Sequence, residues 1–435
     1  MPTFDIREFG AVGDGVTNDA AAIQKAIDSC TAAGGGTVLV HAGRTYLTSA
    51  FSLKSFVDLH IEGGATIASS DRDAEFPDHW VIGARHARDI AISGRGVIDG
   101  RGKRFITAEL PHIYEAPEER PRLIVLEDCK GVRVSGITIR NSAFWALTPV
   151  GCEDVVIHGI TVDNDLRMPN NDGIDLENCR NVRISDCHIQ AGDDCICLKS
   201  SREWMHYGAC ENITVTGCTL ISTSCAIKIG SAVWTRVSDC VFDSCVIRSS
   251  NRGLAVQHRD AGDVENIVFG NMVVETRLFH GMWWGKAEPI QITAVPRAVG
   301  APVGRVRHIR FHNILCRGES GVHIRGYAES RPEGIVLDNV RVEINKTTRH
   351  AGGEYDCRPG TVGVLPHRIA GIYGAFASDV VLRNTDVVWG PNRPEYYGPA
   401  LECHSVARLR LENFRGEAAH PERDMATLVD ETTPG

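Results

Sequence analysis

The sequence has little that would bind nucleic acid, enter a membrane or hold zinc. Its 435 residues carry 46 Lys and Arg against 55 Asp and Glu, so no basic surface for nucleic acid or anionic lipid is indicated. The chain contains no run of about 18 apolar residues, the length needed to span a bilayer. None of the 15 cysteines has a partner at the CxxC spacing of a zinc site. These absences exclude the corresponding functions and favour reduced, buried thiols.

The N-terminus lacks the apolar stretch of a signal peptide. Residues 1–15, MPTFDIREFGAVGDG, carry charges where such a stretch would stand. We therefore expect a cytoplasmic protein, or a secreted one if a leader has been removed.

A repeated phrase of alternating apolar residues dominates the chain. Four copies begin at Cys129, Cys152, Cys179 and Cys210, with spacings of 23, 27 and 31 residues. Each copy predicts two short strands broken by Gly, Asn or Asp, which cannot bury their own apolar face and must stack on neighbouring copies. The prediction is an all-β fold, a single-stranded right-handed parallel β-helix forming one domain over residues 1–435. A propeller is less suitable because its blades need about 40 residues each.

Two stretches depart from this repeat. Residues 17–32 have helical spacing, with Asn18 or Thr17 as N-cap and Gly34 as the stop. They predict a short α-helix that caps the open N-terminal end, which would otherwise be an exposed sheet edge. Residues from about 346 to 376 are rich in Gly, Arg and His and show no strand pattern, so they predict a long external loop.

Three carboxylates are spaced by about one coil. Asp172 precedes Asp193 by 21 residues, so a parallel β-helix can place them on neighbouring rungs, roughly 4.8 Å apart along the axis. Asp193 and Asp194 reach the same face only if the strand bends, which Gly192 permits. Their repulsion favours one protonated acid beside ionised neighbours. Glycoside hydrolysis needs this division, because an acid protonates the leaving oxygen while a carboxylate activates water.

The motifs around these acids resemble those of glycoside hydrolase family 28, which includes polygalacturonases and rhamnogalacturonases. The family's Asn-Thr-Asp motif is matched by Asn-Asn-Asp at residues 170–172, and its Gly/Gln-Asp-Asp motif by Gly-Asp-Asp at residues 192–194. Flanking text, such as RPRLIVLEDC from residue 120, also agrees. The resemblance implies a right-handed parallel β-helix that hydrolyses pectin with inversion, for which we expect the acid and the base to be about 6.5 to 9.5 Å apart.

The resemblance also implies roles for single residues. Asp193 corresponds to the general acid, while Asp172 and Asp194 correspond to the acids that hold and activate water. Asp175 matches a family acid that supports this group, and Asn170 is predicted to contact substrate.

Two family motifs are altered. The family's Gly-His-Gly falls on Ser-Cys-Ala at residues 224–226, where we expect Cys225 to be a buried thiol and not a nucleophile. The family's Arg-Ile-Lys, which grips a substrate carboxylate, falls on Ala-Val-Gln at residues 255–257. Losing these cations predicts a rhamnogalacturonan-like or other non-homogalacturonan substrate, with a neutral sugar facing Ala255 and Gln257. Lys228, His258 or Arg259 could supply a substitute cation.

Trp283 and Trp284 interrupt the repeat and either stack on sugar rings or anchor a loop. The predicted substrate-binding residues are Asn170, Asp175, Cys225, Lys228, Gln257, His258, Arg259, Trp283 and Trp284.

Other functions stay open at this point. A β-helix lyase would use calcium held by the carboxylates and a base such as Arg259. A sugar transferase or epimerase, or a non-catalytic carbohydrate-binding β-helix, is a further alternative. The favoured hydrolase needs no cofactor and no metal ion, and its partner is a carbohydrate, not nucleic acid or a membrane. No oligomeric state is predicted.

Overall fold

Parallel pairing between successive repeats builds each of two compact units, Met1–Ile196 and Cys197–Gly435. The structure is a computed structural model that describes residues 2–70 and 76–430. Within each unit, strands from one coil pair with those of the next in the same direction, as in the right-handed parallel β-helix that the repeats predict. Whether the chain acts as one domain stays a prediction. Across those described residues, no helix is both long and apolar enough to cross a membrane.

The first unit contains the helix α1 (Ala20–Ala32), two short 3-10 helices (Ile6–Phe9 and Gly102–Phe105) and the strands β1 (Thr3–Asp5), β2 (Asp14–Asn18), β3 (Gly36–Val40), β4 (Thr45–Thr48), β5 (Phe51–Ser52), β6 (Val57–Ile61), β7 (Thr66–Ser69), β8 (Trp80–Arg85), β9 (Arg88–Gly94), β10 (Val97–Asp99), β11 (Ala108–Glu109), β12 (Tyr114–Glu115), β13 (Arg122–Glu127), β14 (Lys130–Ser135), β15 (Thr138–Arg140), β16 (Leu147–Val150), β17 (Glu153–His158), β18 (Thr161–Asp163), β19 (Ile174–Glu177), β20 (Arg180–Ser185) and β21 (His188–Ala191).

The second unit contains the 3-10 helix Arg202–Tyr207 and the strands β22 (Ile196–Ser200, which starts at the last residue of the first unit), β23 (Cys210–Thr216), β24 (Thr219–Ser222), β25 (Cys225–Val233), β26 (Val237–Asp243), β27 (Val246–Ser250), β28 (Arg252–His258), β29 (Val264–Thr276), β30 (Ile290–Ala294), β31 (Val306–Gly318), β32 (Val322–Arg325), β33 (Glu333–Ile344), β34 (Glu354–Asp356), β35 (Val364–Pro366), β36 (Ile372–Arg383), β37 (Asp386–Trp389), β38 (Leu401–Ala407), β39 (Arg410–Glu412) and β40 (Thr427–Val429).

The helix α1 begins at Ala20, three residues later than predicted. Thr17 and Asn18 belong instead to β2, which pairs in parallel with β4, and the Asn18 side chain accepts a hydrogen bond from the Ala20 N–H at 3.0 Å. The predicted stop at Gly34 is confirmed, since Gly34 has φ +90° and its N–H bonds to the Thr31 carbonyl. The buried face of α1 packs against the first coil through β1 and β3.

The repeated phrase forms ladders of identical positions. Val132, Val155 and Val182 occupy one register position on β14, β17 and β20, and all three are buried. Burying each such side chain contributes about 1.5 to 3 kcal/mol. The left-handed backbone conformation, which Gly, Asn and Asp tolerate best, occurs at the breaks after these strands and again at the second residue of each strand. The break positions are Gly136, Gly159 and Asp186, and the strand positions are Gly131, Asp154 and Asn181.

The cysteines and aromatic residues extend these ladders. All 15 cysteines are buried thiols, as expected. In the second unit Phe242, Phe269 and Phe311 share one register position on β26, β29 and β31. Their rings stack with centroids 4.8 and 4.9 Å apart.

The segment predicted as a long external loop contains ordered structure. Strands β34 and β35 form an antiparallel hairpin, and Tyr355, Asp356 and Cys357 are fully buried. The segment is therefore packed into the second unit over part of its length. The sequence shows no repeat pattern here because the hairpin is short and its two strands pair with each other, not with a neighbouring coil.

Candidate active site

Two glycines bring the acid-bearing turns of neighbouring coils together. The Gly192 N–H donates to Asn171 Oδ1 at 2.6 Å, and the Gly173 N–H donates to the Asp194 carbonyl at 2.8 Å. A Cβ atom at Gly192 or Gly173 would lie 2.3 or 2.5 Å from a backbone oxygen. No side chain fits at either position, so both need glycine.

The three predicted catalytic acids converge. Asp172 lies just before β19, and Asp193 and Asp194 lie just after β21. One carboxylate oxygen from each residue lies within 4.8 Å of the others, and we call these three residues the acid cluster. Asp172 and Asp194 are buried, whereas Asp193 is half-buried. Two unit charges at this spacing would repel by roughly 3.5 kcal/mol at an effective dielectric constant of about 20.

The spacing that distinguishes inverting from retaining glycosidases is measured between whole carboxyl groups, not between their closest oxygens. Inverting glycosidases have acid and base carboxyls about 6.5 to 9.5 Å apart, and retaining enzymes about 5 to 5.5 Å apart. The closest oxygens here lie within 4.8 Å. Product stereochemistry is therefore the direct measure of whether the reaction inverts.

Arg120 lies beside the acid cluster and was not among the predicted site residues. It is 4% exposed and donates to Asn170 Oδ1 at 3.3 Å and to the Pro169 carbonyl at 3.2 Å. Burial lowers the pKa of Arg120 to about 10, although the negative charge of Asp172 acts in the opposite direction. The only signal in the sequence was the position of Arg120 at the start of RPRLIVLEDC, 50 residues before Asn170.

Asn170 and Asp175 flank Asp172. Asn170 is exposed, and its Nδ2 lies 3.5 Å from Asp193 Oδ2. It has a positive φ of 57°, a conformation for which asparagine is well suited. Asp175 is fully buried on β19, which suits the predicted supporting role better than direct contact with substrate.

In the second unit, the positions aligned with the family's cations are covered. Ala255 and Gln257 are buried, and Gln257 Nε2 donates to Gln291 Oε1 at 3.0 Å. Neither side chain presents a surface on which a sugar could rest. Lys228 is opposite Ala255 in the register of β25 and β28. A cation therefore stands one rung before the position of the family's arginine.

His258 and Arg259 have structural surroundings. His258 is fully buried, and burial together with the charge of Arg259 lowers the pKa of its imidazole to about 4, so the ring is neutral near pH 7. Arg259 is also fully buried and donates to the carbonyls of Pro359, Thr293 and Cys357. The predicted substrate contacts by His258 and Arg259 are not supported, because both side chains are enclosed by protein.

Cys225 and the tryptophan pair also have defined surroundings. Cys225 is buried, with Sγ 3.2 Å from the Ile227 carbonyl oxygen, as expected of a structural thiol. Trp283 is buried, and its carbonyl accepts a hydrogen bond from Arg358 at 2.9 Å. Trp284 is 43% exposed. Trp283 therefore anchors its loop, whereas Trp284 keeps an aromatic surface that could meet a sugar.

A parallel β-helix that presents a cluster of carboxylates has the architecture of a carbohydrate-active enzyme. The sequence model of the family described as "Glycosyl hydrolases family 28" matches residues 30–353. The chain belongs to glycosyl hydrolase family 28, which confirms the resemblance seen in the motifs.

Individual relatives agree with this assignment. A probable polygalacturonase of Vitis vinifera is 30% identical over 303 residues, which cover 62% of this chain and 60% of the relative. An exopolygalacturonase of Zea mays is 26% identical, over 79% of this chain and 84% of the relative. The crystal structure of a hyperthermoactive exopolygalacturonase from Thermotoga maritima is similar in fold, with a TM-score of 0.68 and 23% identity over 79% of this chain and 87% of that one. These relatives do not confirm the predicted rhamnogalacturonan-like specificity.

Proposed function

We propose that the protein hydrolyses glycosidic bonds of a pectin-type saccharide by acid/base catalysis with inversion. The observation that carries this proposal is the acid cluster, in a chain that belongs to family 28. Asp193, the most exposed of the three acids, is the general acid that protonates the leaving oxygen. Asp172 and Asp194, which are buried, hold and activate the attacking water.

A galacturonic acid backbone is the first candidate substrate. The named relatives are polygalacturonases and exopolygalacturonases. Lys228, which is buried and in register with Ala255, is the candidate cation for a uronate carboxylate.

A rhamnose-containing pectic fragment is the second candidate. Ala255 and Gln257 stand where the family has Arg and Lys, so this motif lacks two cations, and both residues are buried. A neutral sugar tolerates this loss better than a uronate does.

Incubation with a panel of pectic oligosaccharides tests both candidates. Products are measured by mass spectrometry, and the anomeric proton is followed by NMR from the first minutes. We expect hydrolytic products with inverted configuration. If the first product retains the anomeric configuration, one of the acids forms a covalent intermediate with the sugar and the proposed activation of water is wrong. If the product is unsaturated, absorbs ultraviolet light and no longer forms when a chelator is added, the protein is a lyase.

The same panel ranks the substrates. Faster cleavage of homogalacturonan fragments than of rhamnose-containing ones supports the first candidate, and Lys228→Ala should then raise KM for uronate substrates. The reverse ranking supports the second candidate.

A further inference from the structure

Arg120 is a buried cation that the proposed hydrolysis does not use. Burying a guanidinium is unfavourable unless its donors find partners. With a pKa of about 10, Arg120 remains charged near neutral pH.

The hydrogen bonds of Arg120 are directed at one turn. They reach Met168 Sδ at 3.4 Å, the Pro169 carbonyl at 3.2 Å and Asn170 Oδ1 at 3.3 Å. The guanidinium also lies 5.2 Å from the ring centroid of Phe144. Three consecutive residues, which end two positions before Asp172, are therefore held by one side chain.

This arrangement determines which way the Asn170 amide points. A guanidinium has donors only, so the amide group turns its oxygen towards Arg120. The amide nitrogen then faces Asp193, where Nδ2 lies 3.5 Å from Oδ2. The reverse orientation would set a donor against the guanidinium and an oxygen against a carboxylate oxygen.

We propose that Arg120 is a positioning residue for the general acid, acting through Asn170. The Asn170 N–H donates to Oδ2 of Asp193 and so orients the carboxyl group. The carboxyl proton of Asp193 passes to the glycosidic oxygen as the bond to the leaving sugar breaks. The inference rests on the proposed function, because it requires Asp193 to be the acid.

The test compares substrates that differ in their need for a proton. The first is the best oligosaccharide of the pectic panel, and the second is a nitrophenyl glycoside of the same sugar, whose leaving group departs without protonation. Arg120→Met and Asn170→Gly each remove one step of the chain from Arg120 to Asp193. We expect kcat on the oligosaccharide to fall by about 10- to 100-fold, within the range of general acid catalysis, and kcat on the nitrophenyl glycoside to fall much less.

Further variants strengthen the test. Asn170 is exposed, and glycine tolerates the positive φ at residue 170, so we expect Asn170→Gly to fold. This variant therefore tests the positioning role even if Arg120→Met folds poorly. The double variant should lose no more than the more affected single variant, because both changes break one chain of contacts. Arg120→Lys, which keeps a donor and the charge, should retain more activity than Arg120→Met. Arg140→Gln is the matched control, since Arg140 pairs with Asp99 at 2.8 Å in the same unit.

Two failures are distinguishable. If Asp193→Asn loses equal activity on both substrates, Asp193 is not the acid and the proposed function fails. If Asp193→Asn shows the leaving-group dependence but Asn170→Gly and Arg120→Met lose equally on both substrates, or no more than Arg140→Gln, the positioning role is wrong and Arg120 serves stability alone.

Discussion

The two units of the chain use buried charge in opposite ways. In the first unit, the acid cluster places three carboxylates together. In the second unit, a set of four residues places opposite charges together, and we call it the buried ion network: Arg252, Glu288, Asp356 and Arg358.

The buried ion network is closely paired. Arg252 Nε lies 3.3 Å from Glu288 Oε2, with side chains 1% and 0% exposed. Asp356 bonds to Arg358 at 2.8 Å and accepts the Gly285 N–H at 2.7 Å. These bonds fasten the hairpin of β34 and β35 to the loop before β30.

The contrast shows what each arrangement is for. Opposite charges that satisfy one another stabilise a local structure once it is buried, although the desolvation penalty offsets much of the gain. Like charges held together destabilise the folded state, a cost that is common at sites of chemistry. The sign of the charges around a buried carboxylate therefore separates a structural group from a catalytic candidate.

The largest effect is expected at the acid cluster. Asp193→Asn keeps the shape of the side chain but cannot deliver a proton, so kcat on an oligosaccharide should fall by roughly 10² to 10⁴. Steady-state kinetics measure this, and thermal unfolding should show little change. Full activity of the variant would show that Asp193 is not the general acid and would make Asp194 the better candidate.

In the buried ion network the same kind of change should act on stability. Arg252→Met leaves the Glu288 carboxylate buried without its main cation, which should lower the free energy of unfolding by about 3 to 5 kcal/mol. Denaturant titration measures it, and Glu288→Gln in the same chain should restore part of the loss. Arg408→Met, which breaks an exposed pair with Asp379, is the control and should change stability far less. Equal losses from both variants would contradict the contrast.

The buried ion network should also make the protein sensitive to acid. Burial raises the pKa of Asp356, but the hydrogen bond from Arg358 and the charge of Arg252 outweigh it, so the folded-state pKa is lowered. Stability from this group is present above the unfolded-state pKa of about 3.9 and is lost as the pH falls through the folded value. Unfolding free energies measured from about pH 6 to pH 3 should fall less steeply for Asp356→Asn than for the parent protein.

The smallest effect has the opposite sign. Asp194→Asn removes a negative charge that lies close to another carboxylate of the acid cluster, so the free energy of unfolding should rise, by about 1 kcal/mol or less. Its activity should fall on oligosaccharide and nitrophenyl substrates alike, because it acts on the water side of the reaction. Lower stability of this variant would show that Asp194 is held by favourable bonds that outweigh the repulsion.

Much of the acid cluster could be predicted because its spacing follows the coil. A separation of 21 residues between Asp172 and Asp193 implies neighbouring rungs whatever lies elsewhere in the chain. Arg120 could not be found this way. It lies 50 residues before Asn170. Because the coils between them contain insertions of variable length, the sequence does not predict which residues of distant coils lie side by side.

The predicted sugar contacts of Gln257, His258 and Arg259 are not supported, for a related reason. All three side chains are buried, and Arg259 donates to the carbonyls of Cys357 and Pro359, which lie about 100 positions later in the chain. Alternation within a strand says which face a side chain occupies. It does not say what will cover that face.

The sequence alone determined the parallel β-helix, the α-helix near the N-terminus, the buried thiols and the identity of three acids, because each depends on a period or on residues within one coil. Only the tertiary structure decided that Arg120 turns Asn170 towards Asp193, that Arg259 fastens a hairpin, and that Trp284 and not Trp283 is exposed. These outcomes depend on contacts between segments far apart in the chain, whose geometry is set by side-chain packing and not by any local pattern.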